Sequence, residues 1–318
     1  MATSTSFSTT ALLIVVIIIL VAGGAAAGFV YYHNRPGGAP AVQVVQPGDN
    51  VTVNYIGIFG SGPDAGKVFD TSLYSVATNN IAYPKSLQYH SRGSLPSNYS
   101  TLDVHVGGST PSSGYSLGGL SFIQVVTGFW QGLVGAQPNT TLTVPVPPAL
   151  GYGPVNAACV ATRPISYTVP VFESLAGSTF SKEFPGVVAS TGAEVRDPHL
   201  GWPVLLLSAN ASYVAIENLP PLGWSVSPSG WPLTVTNITS TPNGTGQITL
   251  VNDLSPNQAG RLVGTDYLSN GPCSSQSSGK FIVSAIDLGA GTYTENFNQE
   301  VQGQTLIFLV TVVDVFHP

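Results

Sequence analysis

From Val125 to Gly153 the chain reads VVTGFWQGLVGAQPNTTLTVPVPPALGYG. Aromatic and β-branched residues crowd this stretch, glycines punctuate it, and a proline-rich loop delivers Tyr152 between two glycines. It carries no Ser-His-Asp order, no paired carboxylates and no phosphate-loop glycines, so the chemistry open to it is that of shape, apolar surface and a few oriented hydrogen bonds. The rest of the chain adds little ionic chemistry. Only 8% of its residues are charged, against roughly 25% in an average soluble protein. The nine basic residues are scattered singly in a chain of net charge -6, which offers no stripe for a phosphate backbone and argues against nucleic acid as a partner. The five histidines (33, 90, 105, 199 and 317) share no metal-ligand spacing, so neither a metal nor another cofactor is expected.

The elements that must position these groups are mostly strands. In VVQPGDNVTVNYIGIFG a turn at PGD precedes Val51, Val53 and Tyr55, which alternate with polar residues as in a half-buried strand. A second strand is expected in KVFDTS from Lys67. Residues 75 to 120 are long, polar and rich in Gly, Ser and Tyr, with one clear strand in TLDVHVGG from Thr101; a segment of this length is usually functional or an elaboration. Val125, Val126, Phe129 and Leu133 fall on one side at helical spacing, which predicts a short helix beginning near Gly128. TTLTVPVP from Thr140 reads as a strand whose prolines demand an edge or an exit. Past Gly153 come short β patterns separated by Gly/Pro turns, and TLIFLVTVVDV from Thr305 closes the chain as its strongest strand. Such a strand belongs to a sheet begun earlier, so the region between is an insertion.

At the N-terminus, ALLIVVIIILVAGGAAAGFVYY (residues 11–32) has no charge and is long enough to cross a hydrocarbon core of about 30 Å as a helix. A cleaved signal peptide is the rival reading, but MATSTSFSTT supplies no Lys or Arg for its basic region. An uncleaved single-pass anchor is therefore expected, followed by a Pro/Gly linker over 33–43. Arg35, the only charge just beyond the span, mildly favours a cytoplasmic C-terminal part. A surface of Ser, Thr and Asn, six N-x-S/T triplets beginning at Asn50, and just two cysteines favour a folded part outside the cytoplasm. Cys159 and Cys273 are either a disulfide or two buried thiols; both readings stand.

Several of these segments, in this order, resemble the FKBP-type peptidyl-prolyl isomerases: GDNVTVNYIG (48–57), GKVFDTS (66–72), LDVHVG (102–107), VVTGFWQGL (125–133), PPALGYG (147–153) and the closing TLIFLVTVVDV. Two further stretches, from Gly201 and from Phe281, are similar to the end of the flap insertion in the SlyD-like branch of that family. The resemblance implies an α+β, mainly β fold, an antiparallel half-barrel around a short helix, over 44–157 and 303–318. It implies a β-rich insertion in the flap over 158–302, of one or two modules; the transmembrane helix at 11–32, preceded by a short tail, is expected from its own apolar run.

Prolyl isomerisation makes and breaks no bond, which agrees with the missing nucleophile. The family pattern implies a proline pocket lined by Tyr55, Phe69, Val125, Val126, Phe129 and Phe308, with Leu102 on a wall, Asp70 as the polar wall residue and the Tyr152 hydroxyl offered to a substrate carbonyl. Phe129 stands where the best-known members have Trp. Trp202, Trp224 and Trp231 in the insertion are expected to face unfolded, proline-containing clients. Taken alone, Val125, Val126 and Phe308 are equally good core residues, and Asp70 an ordinary turn residue. The competing functions are a non-catalytic peptide-binding module on the same scaffold and a surface-layer or adhesion protein.

Overall fold

The computed structural model describes residues 43–317 except 108–114, 118–119, 211, 241–244 and 275–276. The anchor expected over 11–32 lies outside the described residues. Among the described residues no helix is long and apolar enough to cross a membrane, so the single-pass, membrane-anchored localisation is not supported. The chain divides into two compact units, the first running up to Val155 and resuming at Gln299–Pro318, the second comprising Asn156–Asn298.

The first unit contains β1 (Asn50–Phe59), β2 (Val68–Thr71), α1 (Tyr74–Thr78), β3 (Leu102–His105), β4 (Tyr115–Leu117), β5 (Leu120–Phe122), α2 (Thr127–Leu133) and β6 (Thr141–Val146). The second holds β7 (Val160–Pro164), β8 (Ser166–Pro170), β9 (Phe172–Ala176), α3 (Gly177–Glu183), β10 (Glu194–Arg196), β11 (Pro203–Ala209), β12 (Tyr213–Asn218), β13 (Ser225–Val226), β14 (Leu233–Ser240), β15 (Gly246–Asn252), β16 (Val263–Thr265), β17 (Lys280–Asp287) and β18 (Thr292–Asn296). The chain then returns to the first unit as β19 (Leu306–Phe316).

In the first unit the sheet order is β2-β1-β19-β6, with β3 pairing the other half of β1. β1 and β19 are antiparallel along their whole lengths, from Asn50 opposite Phe316 to Phe59 opposite Leu306. Both are central, and β1 is buried on both faces: Val51, Val53 and Tyr55 enter the larger core, Ile56 and Ile58 a second one with Val68, Val76 and Leu309. Pro145, which has no N–H to give a ladder, sits in the edge strand β6. Phe129 and Leu133, one helical turn apart, bury the inner face of α2. The helix approaches β6 closely because Gly128 and Gly132 have no side chains; a Cβ at Gly128 would lie 2.8 Å from Val146 Cγ1, and one at Gly132 would overlap Val144. Asn50, the first of the six N-x-S/T asparagines, is 1% exposed and hydrogen-bonds the His105 ring at 2.9 Å.

The second unit is three four-stranded antiparallel sheets: β10-β11-β12-β9, β13-β14-β15-β8 and β16-β17-β18-β7. The topology is nested. β7, β8 and β9 leave in succession, and the returning chain forms three meanders that take them up in reverse order. The modules share local geometry. In each, a glycine at positive φ (Gly192, Gly223, Gly260) donates its N–H to the middle strand, at Leu206, Val235 and Val283. Just after these acceptors each middle strand carries a bulge, between Leu206/Ser208, Val235/Asn237 and Val283/Ala285. The first two modules also share Gly-Trp-Pro before the middle strand: Trp202 Nε1 donates to Asn218 Oδ1 at 3.1 Å, Trp231 Nε1 to Asn252 Oδ1 at 2.9 Å. Cys159, just before β7, is disulfide-bonded to Cys273 in the β16–β17 loop.

This architecture corrects the expected fold class. The chain is organised mainly by four antiparallel sheets and a two-stranded ribbon (β4 and β5), while helix among the described residues is confined to α1, α2, α3 and single 3-10 turns. A single half-barrel around a helix does not describe it. The physical reason is the nested insertion, whose three modules each complete a sheet of their own.

Candidate functional site

Four aromatic rings from four elements of the first unit meet on one side of β1. Phe308 of β19 is the hub: its ring lies 4.8 Å from Phe129 of α2 and 5.5 Å from Phe69 of β2, centroid to centroid, both nearly perpendicular. Tyr55 of β1 completes the group at 6.3 Å from Phe308 and 6.1 Å from Phe129. Edge-to-face pairs of this kind contribute about 0.5–1.5 kcal/mol each beyond the area they bury. Gly57 makes room for the Phe69 ring, since a Cβ there would stand 2.6 Å from Phe69 Cζ. Leu102, Val125 and Val126 pack against the same core and remain partly exposed, as does Phe69, whereas Phe129 is 2% exposed.

A polar rim adjoins the rings. Asp70 follows Phe69 on β2, opposite Gly57, and its Oδ1 accepts the Thr71 N–H at 2.8 Å. The Tyr55 hydroxyl donates to Asp70 Oδ2. Arg92 Nη2 reaches both oxygens of Asp70, at 3.2 and 3.3 Å, and its guanidinium lies 5.8 Å from the Tyr55 ring centroid. Burial pushes the Tyr55 hydroxyl far above its usual range, with the Asp70 charge adding to the rise, so it stays a neutral donor. Burial alone would lower the Arg92 pKa, but Tyr55 and Asp70 more than offset it and hold the guanidinium above its ordinary value. Tyr152, 42% exposed, is raised by partial burial and then by the Asp70 charge, which puts its hydroxyl within electrostatic reach of that carboxylate.

Arg92 arrives by way of a pinned loop. The Val68 N–H donates to Pro84 O at 2.8 Å and the Ser86 N–H to Val68 O at 3.0 Å, Ser86 Oγ donates to Glu300 Oε2 at 2.8 Å, and the Arg92 N–H is held by the Tyr99 hydroxyl at 3.2 Å. Sequence reasoning missed this residue inside the long 75–120 segment. Its only signal there is chemical: a charge-poor chain places Arg92 in a stretch whose other charged residues are Lys85 and Asp103.

The chain matches no protein-family model and no curated protein sequence. The site is therefore read from its own geometry. Tyr55, Phe69, Leu102, Val125, Val126, Phe129 and Phe308 share one cluster, with Asp70 and Tyr152 at its polar rim. The three insertion tryptophans do not form a client-facing patch. Trp202 and Trp231 are 2% and 3% exposed in separate cores, and Trp224 packs half-buried beside the first of these. Each indole N–H is committed internally, that of Trp224 to Leu200 O at 2.9 Å.

Proposed function

We propose that the first unit is a peptidyl-prolyl cis-trans isomerase acting on X-Pro bonds of polypeptide clients. The observation that carries this reading is the aromatic group of Tyr55, Phe69, Phe129 and Phe308 with the Tyr152 hydroxyl and one carboxylate, Asp70, at its rim, the carboxylate being held by the Tyr55 hydroxyl and Arg92. Rotation about X-Pro faces a barrier near the ~18–20 kcal/mol of an ordinary amide, which arises from resonance that charges the oxygen and flattens the bond. Apolar rings solvate the flat, charge-separated amide poorly and so favour the twisted state; a hydroxyl such as that of Tyr152 holds the carbonyl as it turns. The ordered motifs that resemble the FKBP-type isomerases support the same chemistry.

A second reading, a peptide-binding module without turnover, is favoured by one specific feature. Arg92 already engages Asp70 and Tyr55, the polar atoms a substrate would use. The two readings separate on Tyr152→Phe and Asp70→Ala. For the isomerase, each variant loses about tenfold in catalysed rate, the scale of one hydrogen bond made in the transition state, while a proline peptide still binds. For the binding module no catalysis exists to lose, and only binding responds.

A further inference from the structure

The second unit holds an open pocket of about 420 Å³ that the reading above leaves without a role. It lies where the three modules converge: the loops before the middle strands β11, β14 and β17 all contribute to its wall, together with the outgoing strands β7 and β8. Equivalent loops of a threefold repeat thus meet around one space, as turn loops carried by a rigid scaffold do in many binding sites.

Its chemistry is one-sided. Three tyrosines, Tyr167, Tyr267 and Tyr293, supply aromatic wall, and the Tyr167 and Tyr267 hydroxyls stand 3.4 Å apart. The only Lys or Arg in the wall, Arg163, is already bound: its Nε donates to Glu295 Oε2 at 3.0 Å and its Nη2 to Asn270 Oδ1 at 3.2 Å. Tyr293 fills the other Glu295 oxygen at 3.1 Å. That pair is neutral and closed. Asp197, Asp266 and the exposed Glu183 are left over, and the His199 ring lies 5.7 Å from that of Tyr267. Asp197 uses Oδ1 for the N–H groups of His199 and Leu200, at 2.8 and 2.6 Å, and Asp266 uses Oδ2 for the Gly271 N–H at 2.7 Å. Among the described residues, the second oxygen of each makes no hydrogen bond. Burial raises the Tyr267 hydroxyl, its hydrogen bond with Tyr167 lowers it, and the negative charges of Asp197, Asp266 and Glu295 raise it further.

We infer that this cavity binds an organic cation, an alkylammonium or guanidinium group, carried by a Lys or Arg side chain of a polypeptide or by a free polyamine. The tyrosine faces give such a group cation–π attraction, and the unused oxygens of Asp197 and Asp266 give it charge-assisted hydrogen bonds. The volume accommodates a long basic side chain with part of its backbone. The loop carrying Asp266, Tyr267 and Asn270 also carries Cys273, so the disulfide to Cys159 fixes one wall of the site. The inference is independent of whether the first unit is an isomerase.

The test is calorimetric titration of the full chain, at low salt, with an acetylated, amidated Gly-Arg-Gly peptide, with its citrulline counterpart of the same shape and no charge, and with spermidine. At least one cation binds, the citrulline peptide binds about tenfold more weakly or not at all, and Asp197→Asn with Asp266→Asn weakens the cation about tenfold or more while the thermal transition stays in place. Binding by the peptide alone identifies a polypeptide source; binding by spermidine alone identifies a free amine. Failure of both cations to bind at millimolar concentration overturns the inference, as does equal binding of the citrulline and arginine peptides. The citrulline comparison needs no variant, so it decides the matter even where the substitutions disturb the fold.

Discussion

Replacing Cys159 and Cys273 together by serine is expected to lower the stability of the second unit by about 4–5 kcal/mol and to leave the unfolding of the first unit where it was. The size follows from the sequence separation of 114 residues between the two cysteines, since a long closed loop removes the most freedom from the unfolded chain. Topology points the same way. Val160 pairs with Asn296, Ser166 with Val251 and Phe172 with Glu217, so the outermost module closes over the longest stretch of chain and has least local support. Of the four tryptophans, only Trp130 lies in the first unit. Fluorescence in a Trp130→Phe background therefore reports the second unit alone. A denaturant midpoint for the serine pair that matches the parent would show that sheet pairing, not the disulfide, closes the third module.

Phe129→Ala is expected to cost the first unit about 3–5 kcal/mol and to remove isomerase activity. The ring is 2% exposed and touches both Tyr55 and Phe308, and its helix is pressed against β6 by Gly128 and Gly132, so the surroundings cannot collapse into the space it leaves. Phe129→Leu keeps most of the volume and should cost less than half as much, while still losing the edge-to-face contacts. Comparing unfolding midpoints with catalysed rates separates packing from chemistry: a folded Phe129→Leu protein with full activity would show that the ring is core and not pocket floor.

The sequence made some of this legible because some of it is local. Alternation at Val51, Val53 and Tyr55 marks β1, the prolines of TLTVPVP mark an edge, and the glycines around Tyr152 mark a loop. The strength of LIFLVTVVDV implied a partner far back in the chain, and β1 is that partner. What stayed hidden is not local. The threefold repeat is interleaved, so each module has its edge strand remote from its meander, and the Gly-Trp-Pro signature occurs in only two of three. The indoles were legible as large apolar surface, but their burial depends on Asn218 and Asn252 taking the N–H groups of Trp202 and Trp231, which no spacing rule announces. Arg92 faces Asp70 because of the path of residues 79–101, fixed by contacts to Glu300, more than two hundred positions away.

The most direct measurement is the rate of cis-to-trans conversion of an Ala-Leu-Pro-Phe peptide, followed by exchange spectroscopy without a coupled protease, in the presence and absence of the full chain. An X-Pro site built from the Tyr55, Phe69, Phe129 and Phe308 rings accelerates the conversion, and the acceleration disappears when Tyr152→Phe and Phe129→Leu are combined. A folded protein that leaves the uncatalysed rate unchanged would contradict the isomerase reading and leave the aromatic group as core with a peptide-binding rim.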